Sequence, residues 1–166
     1  MGELSISTAG KEDFLEIQKV VKEVWPIAYA QVISSGQIDY MLNMMYDDAS
    51  LRRQMLEEKC EFILSRRGNL VTGFASYSEV VPHQFKLHKL YVLTSEQGKG
   101  TGKKLLHEVC SRSRQSGGIS LELQVNKKNH PAIAFYQKND FYIDREEVFD
   151  IGHGYVMDDY IMKKSL

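Results

Sequence analysis

Between residues 97 and 102 this chain reads Gln97-Gly98-Lys99-Gly100-Thr101-Gly102, three glycines in five residues. The apolar stretch Leu90-Tyr91-Val92 precedes it. An amphipathic segment follows, with Leu105, Leu106, Val109, Cys110 and Ser113 at helical spacing. The chain therefore passes from strand to helix through a glycine-rich turn. Glycine is entropically costly, so three together point to a backbone approached closely by something bulky. The free N–H groups of a helix start, aided by the helix dipole, attract an anion. Lys99, Lys103 and Lys104 add positive charge. The segment reads as a pyrophosphate cradle.

Two common cradles are excluded. A P-loop needs G-x-x-x-x-G-K-[ST], but Gln97 stands five residues before Gly102 and Lys104 replaces the Ser or Thr. A dinucleotide turn needs G-x-G-x-x-G, but Lys103 occupies the third glycine position. No strand–helix–strand unit leads into it.

The rest of the chain supplies the frame. Glu3–Thr8 alternates as an edge strand, and Phe14, Ile17, Val21 and Val24 recur at helical steps. Pro26 and Gly36 are expected to break the next stretch. Helical segments follow over about 39–45 and 50–59, interrupted near Asp47. Glu61–Arg66 and Leu70–Val80 read as a hairpin about Arg67-Gly68-Asn69, and Phe85–Leu93 as the next strand. Gly117-Gly118 stops the amphipathic helix before a strand over 120–125. Asn129 caps a short helix with Pro131 in its first turn. Two last strands, 142–150 and 155–162, join across Gly152-His153-Gly154. This order predicts an α/β (α+β) fold, a mixed six- to seven-stranded sheet flanked by about four helices, with residues 1–166 as one domain.

Charge is uneven. Residues 84–128 hold nine Lys and Arg against three Glu, while the remainder holds twelve basic and nineteen acidic residues. One segment suits an anion and its flanks suit a cation. The basic residues lack interleaved aromatics and the pI is about 6.5, which argues against nucleic-acid binding. Cys60 and Cys110 are too few for a disulfide framework and lack metal-ligand spacing with the five histidines, so no metal is expected. No run approaches a membrane span, and the first residues lack a signal-peptide pattern. The expectation is a soluble cytoplasmic protein.

Gln97-x-x-Gly100-x-Gly102, after a strand ending Leu-Tyr-Val, resembles the acetyl-CoA signature [QR]-x-x-G-x-[GA] of the GCN5-related N-acetyltransferase (GNAT) superfamily. Asn129-x-x-Ala132-x-x-Phe135-Tyr136, followed by Phe141, resembles its second conserved segment. The first hundred residues and the ending Asp159-Tyr160-Ile161-Met162-Lys163 look most like small bacterial amine acetyltransferases, including polyamine-acting ones. The resemblance implies acetyl-CoA as cofactor and a sheet whose central strands splay. It implies that backbone groups of Leu90, Tyr91 and Val92 hold the pantetheine arm. It gives the N–H groups of Gln97, Gly98, Lys99, Gly100, Thr101, Gly102 and Lys103 to the pyrophosphate, and places Asn129 on the cofactor's far side. It also implies that Tyr136 stands near the thioester sulfur as general acid. Asp140 stands where the family has glycine before Phe141; a positive φ is expected there, which Asn139 or Asp140 can tolerate at modest cost. The acceptor is a small-molecule amine or a protein lysine, and a homodimer is compatible with the family.

The chemistry sets requirements of its own. A primary amine has a pKa of about 10.4, so only about one molecule in 10³ is neutral at pH 7. It needs a base, and the oxyanion needs a donor such as a strand N–H near Val92. Relatives place a carboxylate where this chain has Lys86. That leaves Glu79, His83, His88 or a water as base, with His88 expected to share a strand face with Leu90. The acids Glu12, Asp13, Glu16, Glu23, Asp39, Asp47, Asp48, Glu146, Glu147, Asp150, Asp158 and Asp159 are expected around an acceptor groove lined by Trp25, Tyr29 and Tyr40. The alternative function is a non-catalytic acyl-CoA-binding sensor or interaction module on the same fold.

Overall fold

The computed structural model describes residues 2–166. In chain order the elements are β1 (Leu4–Thr8), α1 (Phe14–Ala28), α2 (Ser35–Tyr46), α3 (Asp48–Leu56), β2 (Glu61–Arg67) and β3 (Leu70–Val81). They continue as β4 (Gln84–Val92), α4 (Thr101–Gln115), β5 (Ser120–Asn126), α5 (His130–Lys138), β6 (Tyr142–Gly152) and β7 (Tyr155–Ser165). The strands form one sheet in the order β1-β2-β3-β4-β5-β7-β6.

Both faces of the sheet are covered, and β2 shows why its sequence is an apolar run. Phe62 and Leu64 bury against α1, α2 and α3. Ile63, between them, buries against α4 on the other face. The helices obey the 3.6-residue period. Phe14, Ile17, Val20, Val21, Val24 and Trp25 of α1 are buried, as are Leu105, Leu106, Val109, Cys110 and Ser113 of α4.

Two sequence expectations are corrected. Pro26 does not break α1; it lies in the last turn, where the carbonyl it leaves unpaired belongs to exposed Lys22. Gly36 does not break α2; it sits in the first turn, behind an N-cap in which the Ser34 hydroxyl accepts from the Gln37 N–H at 3.1 Å. The interruption expected near Asp47 is there and gives five helices among the described residues: Asp47 ends α2 and caps α3, its carboxylate accepting from the Ser50 N–H at 2.7 Å. Asp140 takes the expected positive φ, at 69°.

Two departures from a regular sheet shape the site. β4 and β5, the parallel pair, are in register only from Gln84↔Ser120 to Leu87↔Leu123. Beyond that point β5 stays with β7 as far as Asn126↔Asp159, and β4 stays with β3 as far as Val92↔Gly73. The sheet opens between them and leaves one edge of β4 unpaired from His88 to Val92. The second departure is a bulge. Lys89 pairs with Ser76 and Leu87 with Tyr77, so His88 is an extra residue in β4.

Gly73 lets β3 approach this free segment. A Cβ there would stand 2.6 Å from the Tyr91 carbonyl oxygen and 3.2 Å from the Val92 Cα. Both neighbours are backbone and cannot swing aside. Gly73→Ala is expected to destabilise the fold by about 2 kcal/mol or more, read from the urea midpoint at unchanged slope.

Candidate active site

The splay between β4 and β5 is the floor of a cleft of about 1040 Å³. Leu90, Tyr91, Val92, Gln97, Gly98, Gly100, Thr101, Gly102, Lys103, Asn129 and Tyr136 all line it. Residues spread over nearly fifty positions of sequence are thus gathered around one space. Lys99 does not line it; its ammonium turns back to Glu96 at 3.4 Å.

The glycine turn presents donors. Gly98 and Gly100 have φ values of 76° and 81°, and a Cβ on either would meet no protein atom within 4 Å. The backbone there is left-handed and open on the outside. Gly100 is the N-cap of α4 and offers no side-chain cap. The N–H groups of Gly98, Gly100, Thr101, Gly102 and Lys103 find no acceptor among the described residues. Those of Gln97 and Lys99 are engaged within the turn, with Thr94 and Glu96 carbonyls at 3.3 Å. Five open donors at the positive end of a fifteen-residue helix form an anion site.

Glu96, which the sequence reading passed over, braces this turn from behind. It is 5% exposed and accepts from Arg67 Nε at 2.9 Å and Thr101 Oγ1 at 3.3 Å. The Arg67 hydrogen bond holds its carboxyl below the usual range. Its charge is thereby neutralised before it can oppose an anion at the helix start.

On the opposite wall, Asn129 caps α5. Its Oδ1 accepts from the Ala132 N–H at 3.3 Å, which leaves Nδ2 without an acceptor among the described residues. Two turns later stands Tyr136, its ring packed edge-on against Phe135 at 5.2 Å and Phe141 at 5.5 Å. No described residue hydrogen-bonds its hydroxyl, and burial raises its pKa above that of an ordinary phenol.

The base candidates separate clearly. Glu79 and His83 lie outside the cleft; Glu79 accepts from the His83 backbone N–H at 2.7 Å, and the His83 ring meets the Gly117 carbonyl at 2.8 Å. They close the β3–β4 turn. His88 lines the cleft, but its Nε2 is 2.7 Å from Ser78 Oγ, and burial pushes its pKa down to about 4. It does not share a face with Leu90, as simple alternation predicts. Leu90 packs towards α4, while His88 meets Ser78, on the face where Phe74 joins the α1–α3 core. The bulge is the cause, since one extra residue shifts the alternation of everything after it.

Two buried acids line the cleft, Glu96, which is paired with Arg67, and Asp159, which has no such cation. Asp159 is 3% exposed, and its Oδ1 has no hydrogen-bond partner among the described residues. Burial first, then the charge of Asp158, pushes its carboxyl up to about 6, against the pull of Lys86 and Lys127. Its charge also acts on the phenol of Tyr29, which hydrogen-bonds the Tyr91 hydroxyl at 2.9 Å. The sequence did carry a signal. Asp159 falls in phase with Met157 and Ile161 of an alternating strand, and an acid in the inward phase is the uncommon case.

The expected acidic groove is not there. Of the twelve acids, only Asp150 and Asp159 line the cleft; the others lie elsewhere on the molecule. Trp25 and Tyr29 line it as expected. Tyr40 does not; its hydroxyl donates to the Ile151 carbonyl at 2.8 Å and pins α2 to the β6–β7 hairpin.

This architecture has known counterparts. The chain is 24% identical over 151 residues to an uncharacterized N-acetyltransferase of Mycobacterium tuberculosis, covering 91% of this chain and 96% of that one. The fold superimposes with a TM-score of 0.85 on the PaiA N-acetyltransferase from Thermoplasma acidophilum in complex with coenzyme A, at 23% identity and covering 99% of each chain. It superimposes with a TM-score of 0.68 on YncA from Salmonella typhimurium with its cofactor acetyl-CoA, at 21% identity and covering 99% of this chain and 95% of that one. The model of the acetyltransferase (GNAT) family matches residues 20–141. That span takes in the splay, the glycine turn and Tyr136, and by this match the chain belongs to the acetyltransferase (GNAT) family.

Proposed function

We propose that the protein transfers an acetyl group from acetyl-CoA to a primary amine by direct attack, with both reactants bound in the one cleft. The observation that carries this is the juxtaposition of an open donor cradle, a free strand edge, an unpartnered phenol and a buried carboxylate around one space. The residues fit the cofactor. Five free N–H groups and the α4 dipole suit a pyrophosphate, with Lys103 beside them. The unpaired edge of Leu90, Tyr91 and Val92 suits an amide-bearing arm that hydrogen-bonds like an added strand. Asn129 Nδ2 supplies a donor from the far wall. When bound, acetyl-CoA supplies an activated thioester carbonyl and a thiolate leaving group.

The chain's own groups handle the protons. Asp159, with a carboxyl near 6, is ionised at neutral pH and buried. It holds the acceptor's ammonium and takes its first proton. His88, near 4, is a far weaker base and is already bonded to Ser78. Tyr136 keeps its proton across the physiological range and gives it to the departing thiolate. The proton that the amine nitrogen sheds in becoming an amide balances that one. Holding both reactants in one cleft supplies much of the rate.

Calorimetric titration with acetyl-CoA, followed by free-thiol release with amines, tests the reading. One site per chain near micromolar affinity and amine-dependent turnover are expected. Binding without turnover on any amine favours the alternative, an acyl-CoA-binding module, for which Lys86 at the family's carboxylate position is the motivating feature. Gly100→Val bears on the cradle itself. A β-branched residue at φ 81° is strained by about 1–2 kcal/mol, and its side chain occupies the space before the free N–H groups. Acetyl-CoA affinity is expected to fall at least about tenfold, with a lowered Tm; unchanged affinity would move the pyrophosphate elsewhere.

A further inference from the structure

The end of the cleft away from the glycine turn is walled by Ile33, Met41, Met45, Phe149, Ile151 and Met157. They come from α2, the loop before it, and the β6–β7 hairpin. The two walls are tied together by Tyr40 on the Ile151 carbonyl at 2.8 Å and by Gln37 Nε2 on the Val156 carbonyl at 3.1 Å. At the lip, Ile27 is 62% exposed and Met44 37% exposed. A concave surface lined this way favours an apolar guest, and flexible thioethers fit themselves to its shape.

Unpaired acidic charge in this cleft is sparse. Asp159 is its one buried, unpartnered carboxylate. Glu96 belongs to Arg67 and the helix start. Asp150 is exposed at the rim and accepts from the Gly152 N–H at 2.8 Å. Three lysines also line the cleft: Lys103 at the glycine turn, Lys89, whose ammonium donates to Gln54 Oε1 at 2.7 Å, and Lys86, which acts on Asp159. A guest with one ammonium finds a partner there. A further ammonium within the cleft meets lysines and a hydrocarbon wall and loses hydration without compensation; only at the rim does it reach Asp150, which is exposed and screened by solvent.

We infer that the acceptor is a primary monoamine on an apolar body, aliphatic or aromatic, with its ammonium on Asp159 and its body against the methionine-lined walls. This rests on the acetyltransferase reading. In the transfer the thioester C–S bond breaks and a C–N bond forms. The ammonium nitrogen loses two protons, one appearing on the coenzyme A thiol and one in solvent.

The test compares 2-phenylethylamine and hexylamine with spermidine and a lysine-containing peptide. The readouts are thiol release and, separately, acetyl-CoA affinity by calorimetry. The apolar monoamines are expected to exceed spermidine and the peptide at least about tenfold in kcat/KM. Met44→Glu, at an exposed lip position, is expected to lower kcat/KM for hexylamine at least about fivefold, with acetyl-CoA affinity and Tm unchanged. Spermidine or the peptide matching the monoamines overturns the inference and leaves the acetyltransferase reading standing. The same holds if Met44→Glu treats hexylamine as wild type does. Acetyl-CoA bound with none of the four amines acetylated overturns the inference alone. No acetyl-CoA binding overturns both.

Discussion

Asp159→Asn is expected to lower kcat/KM at pH 7 by about 100-fold or more and to leave a protein that is more stable than wild type. The first effect follows from removing the group that receives the acceptor's proton in the proposed mechanism. Between pH 5 and 8 a primary amine is almost wholly cationic, so an acid limb in kcat/KM belongs to the enzyme. Wild type should show one near pH 6, and the variant should lack it. The charged groups acting on this carboxylate are Asp158, Lys86 and Lys127, with the Tyr29 phenol beside it. A variant that keeps the limb assigns the base to another group.

The stability effect has the opposite sign. The folded carboxyl sits near 6 and the unfolded one near 3.9. Folding therefore favours the protonated form. The associated stabilisation is fully present below about pH 4 and is lost as pH rises through 6. Above pH 6 the fold carries a buried, unpaired carboxylate, at a cost on the order of 2–3 kcal/mol. Asparagine does not titrate. The Tm of Asp159→Asn should exceed that of wild type at pH 8, and the gap should shrink towards pH 4. A gap that does not vary with pH would show that Asp159 is solvated or paired in solution.

Tyr136→Phe is the second large effect. The ring packing against Phe135 and Phe141 is retained, and the hydroxyl makes no hydrogen bond to a described residue. The substitution thus removes the proposed proton donor and little else. kcat is expected to fall at least tenfold, with acetyl-CoA affinity within about twofold of wild type and an unchanged Tm. Equal turnover would remove Tyr136 as the acid. A matched loss of affinity and kcat would make it a binding residue.

Much of the fold was legible because its signals are local. Gln97 to Gly102 stand next to one another, so a strand–turn–helix cradle can be read without knowing what lies opposite. The alternation of Phe62, Ile63 and Leu64 between two cores and the cap at Asn129 are likewise short-range. Pro26 misled because a proline has different consequences in a helix interior and in a last turn. The sequence does not mark which of these it occupies.

The acid–base assignment depended on distance across the sheet. Asp159 and the free edge of β4 come from the last strand and the middle of the chain, and they meet only because β4 and β5 part after Leu87↔Leu123. The bulge at His88 moved one candidate to the wrong face. The acids counted along the chain proved to be surface groups, apart from Asp150 at the rim and Asp159 in the floor. By itself the sequence determined the element order, the turn chemistry and, through its motifs, the family, since each is written in neighbouring residues. Tertiary structure decided which carboxylate loses its water and which side chains wall the acceptor, because burial and register are properties of the packed sheet rather than of any segment within it.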